Sequence, residues 1–273
     1  MQAPMKLNAF TGIGYGQKST VVLPVGPTYE EIHLRTNLSA GMIKRVSISL
    51  NAEEIYILTG AQLLMLEAYK KQPAKTGYFT IPFADIVGKT KNGIRATGLV
   101  TEVGDNIILE VEVGSPSDLS SAPAIDLSAW AVVSEPQMAR VLTPKIRPET
   151  MQATSGGENE FLNLNSGATK LIRRMHFISD KVTDLKIERD FKKVFECDKD
   201  YAEYLAGRHE RAPQNGYFHF DPIQRGFFLQ DLFKTAHSSQ LKFTVTTTQP
   251  IGSLPILVES VEVERPDLLQ GLL

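Results

Sequence analysis

Apolar and polar positions alternate with period two along most of the chain. Val21 and Leu23 alternate with Thr20 and Val22, and Ile32 and Leu34 with Glu31, His33 and Arg35. Val46, Ile48 and Leu50 alternate with Ser47 and Ser49, and Phe79, Ile81 and Phe83 with Tyr78 and Thr80. Ile107, Leu109, Val111 and Val113 share one face; Asn106, Glu110 and Glu112 share the other, with Ile108 the exception. Such alternation marks half-buried strands, and the Pro and Gly clusters between the runs supply turns. Two stretches read as helix, Gln62–Lys71 and Lys199–Glu210, each rich in strong helix formers. Asp85–Val87 and Gln230–Phe233 each predict a further turn.

The pattern occurs twice. At an offset of 139, Gly77-Tyr78-Phe79 recurs as Gly216-Tyr217-Phe218, Leu66 as Leu205, Ile55-Tyr56 as Val194-Phe195, and Val46 and Ile48 as Leu185 and Ile187. Upstream the offset is 143, where Ile32-His33-Leu34 matches Met175-His176-Phe177. Downstream it is 134, where Ile107 to Val113 matches Leu241 to Thr247, and then 130, where Ala131 and Val133 match Val261 and Val263. Strand periodicity alone aligns any two β-rich segments somewhere. The same order of strands, helix, Gly-Tyr-Phe strand and late strands argues for a duplicated unit. Each half then holds roughly eight strands and one short helix. Eight antiparallel strands in two facing sheets make a jelly roll. The expected fold is all-β, two tandem jelly-roll β-sandwiches over 1–136 and 137–273.

Composition narrows the function. Apolar residues at 42% and charged residues at 22% fit an ordered globular chain. The net charge of -2 and the absence of a basic tail argue against direct nucleic-acid binding. Apolar runs such as Leu63–Leu66 fall far short of the roughly 20 residues of a membrane span. Met1–Gly16 lacks the apolar core of a signal peptide. Cys197 is the one cysteine, so internal disulfides and cysteine-based zinc sites are excluded, and synthesis in a reducing cytoplasm is expected.

Leu23-Pro24-Val25-Gly26-Pro27-Thr28-Tyr29-Glu30-Glu31-Ile32-His33-Leu34-Arg35, followed by Ile43-Lys44-Arg45-Val46-Ser47-Ile48-Ser49-Leu50, resembles the amino-terminal part of the corticovirus major capsid proteins. These build the shells of tailless icosahedral bacteriophages with an internal membrane. The resemblance implies a double jelly-roll structural protein without enzymatic activity, found in the virion capsid. It implies a homotrimer forming a pseudo-hexagonal tile. The partners would be neighbouring capsid trimers, a vertex (penton) protein and the internal virion membrane surface, with no direct nucleic acid. No cofactor is required, and structural calcium is allowed, its ligands unassigned.

Gly12-Ile13-Gly14-Tyr15-Gly16 is followed by a strand ended by Pro24 rather than by a helix, so it reads as a turn and not a phosphate loop. A pair of cupin domains would need clustered His and Glu. Here His33, His176 and His219 each alternate with apolar neighbours and point away from their sandwiches, towards solvent or an interface. No serine sits in a Gly-x-Ser-x-Gly elbow. No catalytic residue is therefore assigned. Asp198 reads as a helix cap, with calcium ligation by Asp198 and Asp200 as the competing reading. Glu110, Glu112, Glu262 and Glu264 are expected on outward faces, and Trp130 in the last strand of the first half, packed against the other domain. The leading function is a major capsid protein. The alternative is a soluble carbohydrate-binding or host-attachment β-sandwich protein.

Overall fold

The computed structural model describes residues 2–118 and 121–269. Among these, the first half carries β1 (Ala3–Lys6), β2 (Lys18–Val22), β3 (Thr28–Thr36), β4 (Ile43–Leu50), β5 (Glu53–Leu58), β6 (Tyr78–Pro82), β7 (Leu99–Val100), β8 (Ile107–Val113) and β9 (Leu127–Ser134). Its helices are α1 (Gly60–Tyr69) and α2 (Lys91–Thr97). The second half carries β10 (Leu142–Ala153), β11 (Gly157–Phe161), β12 (Lys170–Phe177), β13 (Val182–Arg189), β14 (Lys192–Asp198), β15 (Phe218–Phe220), β16 (Phe233–Lys234), β17 (Leu241–Thr247) and β18 (Gly252–Val263). Its helices are α3 (Lys199–Arg208), α4 (Phe228–Asp231) and α5 (Pro266–Leu269).

Both halves have the same topology. In the first, β1-β9-β3-β6 faces β2-β8-β4-β5; in the second, β10-β18-β12-β15 faces β11-β17-β13-β14. Each is a jelly roll, and the repeat register holds to the residue. β4 and β13 are offset by 139 at both ends, as are α1 and α3, and β8 and β17 by 134. The turns repeat as well. Asn51 and Ala52 between β4 and β5 have φ of 51° and 72°, and Asp190 and Phe191 between β13 and β14 have 49° and 64°. Two left-handed residues in succession make the type I′ turn whose twist suits a two-residue hairpin.

Local chemistry explains both matching helices. Thr59 accepts the amide of Gln62 and the Gln62 side chain returns to the Thr59 amide, a capping box that starts α1. Asp198 accepts the Tyr201 amide at 2.9 Å and caps α3, as its sequence position suggests. The two helices are not equally covered. α1 buries Leu63, Met65, Leu66 and Tyr69, whereas Ala206 is the buried residue of α3.

Each sandwich has its own apolar core. Ile32, Ile48, Leu109 and Ala131 centre the first, and Met175, Ile187, Phe243 and Ile256 the second. Phe79 and Phe218 are both buried, at equivalent positions. The halves are not fully separate, contrary to the simplest reading of two independent sandwiches. Tyr56 of β5 and Ile146 of β10 form one parallel bridge pair that fuses a sheet of each half into a nine-stranded sheet. The cause is geometric: each sandwich ends in an edge strand, and pairing two edges satisfies exposed backbone groups. The sequence pattern missed α2 and the four-residue β1, which are too short to show a period. Gln230–Phe233, read as one turn, instead divides between α4 and β16.

Candidate functional site

The most developed polar constellation lies between the halves. It starts at β12, whose sequence Ile172-Arg173-Arg174-Met175-His176 puts two arginines in succession in a buried strand. Alternation would send one of them into the core. A register shift against β18 between Ile172 and Arg174 leaves Arg173 unpaired in the ladder. Both guanidinium groups then turn towards the first half. Arg174 reaches Asp85 at 2.5 Å, Asp221 at 3.0 Å and Glu259 at 3.4 Å, and all four side chains are sealed from solvent. Arg173 donates to the Phe83 carbonyl at 2.9 Å and stacks over the Phe228 ring at 5.1 Å. Asp85 comes from the turn after β6, so the cluster ties one half to the other.

α1 enters the same seam by its carboxy-terminal end. The Tyr69 hydroxyl donates to Asp221 at 3.1 Å, and its carbonyl accepts the Ala212 amide at 2.9 Å. Its ring lies against His219 at 4.4 Å and His176 at 5.6 Å. Lys70 is buried beside it.

The two histidines have defined proton positions. The Gln214 amide donates to His219 Nε2 at 3.0 Å, so that nitrogen is bare and Nδ1 carries the proton. His219 Nδ1 therefore donates to His176 Nδ1 at 2.7 Å. His176 in turn carries its proton on Nε2 and donates to Glu259 at 2.9 Å. Burial, reinforced by the neighbouring His176, lowers His219 to about 2. Burial pushes the Glu259 carboxyl up, but Arg174, Lys70, the His176 hydrogen bond and Arg173 together hold it well below the usual carboxylate range. Asp85 is likewise raised by burial and lowered overall by Arg174, Lys70 and Arg173. Every ring nitrogen of the pair is occupied by a protein partner. The arrangement can lock the two halves together.

A second ionic group flanks the joint. Arg140 bonds Asp105 at 2.7 Å, Glu264 at 3.1 Å and the Val100 carbonyl at 3.1 Å. Lys145 and Arg147 of β10 each reach Glu53 of β5 at 2.7 Å, beside the parallel bridge.

The residues singled out from sequence fall as follows. Gly12–Gly16 is a turn, with Gly12 and Gly16 in left-handed conformations and the Gly16 amide bonded to β8 and its end. His176 does point away from its own sandwich, but it is fully buried, with Tyr69 of the first half against its ring. His33 keeps partial exposure and contacts Thr80 at 3.3 Å. Glu262 is half-buried and Glu264 exposed, and both are also engaged: Glu262 pairs with Lys145, and Glu264 with Arg140 and Thr143. Trp130 lies in β9 as expected but is 40% exposed, with the Lys6 ammonium over its ring. Cys197 is buried, and burial raises its thiol. Asp198 is engaged as a cap, and among the described residues no group of three His, Cys, Asp or Glu side chains is placed to hold a metal ion.

Sequence reasoning missed Asp85, Arg173, Arg174, Asp221 and Glu259. A signal was present in the repeat. Glu31 is replaced by Arg174, Thr80 by His219 and Pro82 by Asp221, so the halves diverge in charge where they meet.

Comparison with known proteins fits this geometry. Two family models match, the viral coat protein P2 N-terminal domain over residues 4–134 and the viral coat protein P2 C-terminal domain over residues 143–264. No curated protein sequence matches the chain. Among solved structures, the major capsid protein P2 of bacteriophage PM2 is similar with a TM-score of 0.86 at 22% identity, over 96% of this chain and 98% of that one. A protein of Sulfolobus Turreted Icosahedral Virus gives 0.67 at 11% identity, over 99% of this chain and 95% of that one. The PBCV-1 virus capsid gives 0.62 at 9%, over 97% and 95%. The folds agree on a double jelly roll, and the family's structural role sets aside both the carbohydrate-binding and the enzymatic readings. With both of its domains matched in order along one chain, the protein belongs to the viral coat protein P2 family.

Proposed function

We propose that three copies of this coat protein close into a trimer whose six jelly rolls form a pseudo-hexagonal tile of an icosahedral shell. The observation that carries the reading is the doubled sandwich joined by a buried ionic seam. A two-domain subunit suits a six-cornered tile only if its domains keep a fixed angle, and a network of buried, mutually paired charges supplies that rigidity. The units are 1–136 and 137–273, with the seam between them.

The tile's partners in this reading are neighbouring trimers, a vertex protein and a membrane beneath the shell. A net charge of -2 supports a lipid layer, rather than protein contact with the genome. A single buried cysteine supports synthesis in the host cytoplasm before incorporation into the virion.

Light scattering coupled to size exclusion tests the trimer. Three chains of 30.2 kDa give about 91 kDa, and that mass should persist on dilution. A strict monomer across micromolar concentrations overturns the proposal.

A further inference from the structure

The repeat makes the joint between the halves a template. Within one chain, the end of α1 plugs into the β12–β15 face of the second half. Tyr69 sits there against His176, His219 and Ala212. The hollow left beside it, lined by Ala202, Ala206, Pro213 and His219, is only about 10 Å³.

The equivalent place on the first half is open. His176 corresponds to His33, His219 to Thr80 and Ala212 to Pro73 through the offsets given above. These three line a hollow of about 560 Å³ between α1, β3 and β6. Its charge differs from its counterpart's: Glu31 stands in place of Arg174 and Glu67 adds a second carboxylate, with His33 3.5 Å from Glu31 and Lys75 also on the lining. Glu67 Oε1 is buried and meets no donor among the described residues. Burial raises its carboxyl, with Glu31 adding to the rise and Lys70, Thr80 and His33 opposing it.

The plug has an equivalent too. Tyr69 corresponds to Arg208, at the same end of α3. Arg208 is exposed, and beside it Tyr201 and Tyr204 stack with ring centroids 6.1 Å apart, 53% and 57% exposed. Met65, the counterpart of Tyr204, is 5% exposed. Exposed tyrosines with an adjacent arginine are the composition of interface anchors.

We infer that the α3 end of one copy docks into the hollow between α1, β3 and β6 of the next, placing Arg208 against Glu31 and Glu67. This rests on the trimer reading and names the surface that builds it. Each chain offers one plug and one socket on different halves, so the contact is heterologous and three copies can close it into a ring. The match is not a copy of the internal joint. Pro73 has no amide to repeat the Ala212 bond, and Lys192 and Lys193 occupy the places of Glu53 and Glu54 on the neighbouring edge strand. The ionic plug therefore carries a contact that the strand edges do not favour.

The test uses the full chain and the concentration at which the trimer is half dissociated, read by light scattering. Arg208→Glu lies on an exposed helix end and Leu64→Arg on the exposed rim of the socket, so both variants should fold. Each alone should raise that concentration at least tenfold, the first by repelling the carboxylates and the second by repelling Arg208. Combined, they should return it to within about threefold of the parent. A trimer unaffected by Arg208→Glu overturns the inference and leaves the trimer standing. Two single effects without relief in the double variant also overturn it. A monomeric parent overturns this inference and the trimer reading together.

Discussion

Arg174→Met is the perturbation that probes the seam most sharply. The substitution keeps much of the side-chain volume and removes the charge that faces Asp85, Asp221 and Glu259. Each carboxylate retains another partner: Arg173 lies 3.9 Å from Asp85, Arg211 3.6 Å from Asp221 and His176 2.9 Å from Glu259. The loss is therefore that of one broken buried ion network, about 3–5 kcal/mol. At about 2–4 °C per kcal/mol for a chain of this size class, the melting temperature should fall by roughly 6–20 °C. The pH dependence carries the sign. Asp85 and Glu259 are held below their ordinary carboxylate values in the folded chain. Their contribution is present above about pH 4 and is lost as pH falls through the lowered values. The gap between parent and variant should thus be largest near neutrality and shrink in acid. Urea unfolding followed by circular dichroism at several pH values measures this. A loss below about 1 kcal/mol at neutral pH, or a gap that does not change with pH, refutes the argument.

Phe79→Ala and Phe218→Ala remove equivalent buried rings and should each cost about 3–5 kcal/mol on equilibrium unfolding; a cost under about 1 kcal/mol for either would break the repeat register. Ala52→Gly relieves a left-handed residue in the first hairpin and should stabilise by about 0.5–1 kcal/mol, whereas a destabilised variant would contradict the turn assignment. His219 stays neutral in the folded chain with a value of about 2, so the unfolded chain binds its proton first, near pH 6.5. Stability from it is full above that pH and declines, by up to about 1.4 kcal/mol per pH unit, on acidification. His219→Gln should flatten the stability profile between about pH 6 and 4, and an unchanged slope would sink this reading.

The repeat was legible because strand alternation survives large changes in side-chain identity. Val46 and Leu185, or Ile107 and Leu241, need only remain apolar for the offset to be visible. The boundaries of α1 and α3 were legible through helix formers, and the start of α3 also through its Asp198 cap, within two residues at each end. The seam was not legible, because its members come from distant segments: Asp85 from a turn, Arg174 from a strand centre, Glu259 from the last strand. Nothing local marks a turn aspartate as the partner of an arginine 89 residues on. Arg173-Arg174 in particular defies the period-two rule, and only the register shift in β12 makes both arginines useful. His176 shows the same limit. Its direction could be read from alternation, but not the fact that a second domain lies on top of it.

The central claim is that this protein builds a virus shell from tiles of six jelly rolls. Electron cryo-microscopy of particles from an infected culture tests it most directly. Icosahedral particles are expected whose capsomers each contain three chains in a pseudo-hexagonal outline, with the first and second halves alternating around the axis. Capsomers with another number of chains, or particles whose shell lacks this protein, would contradict it.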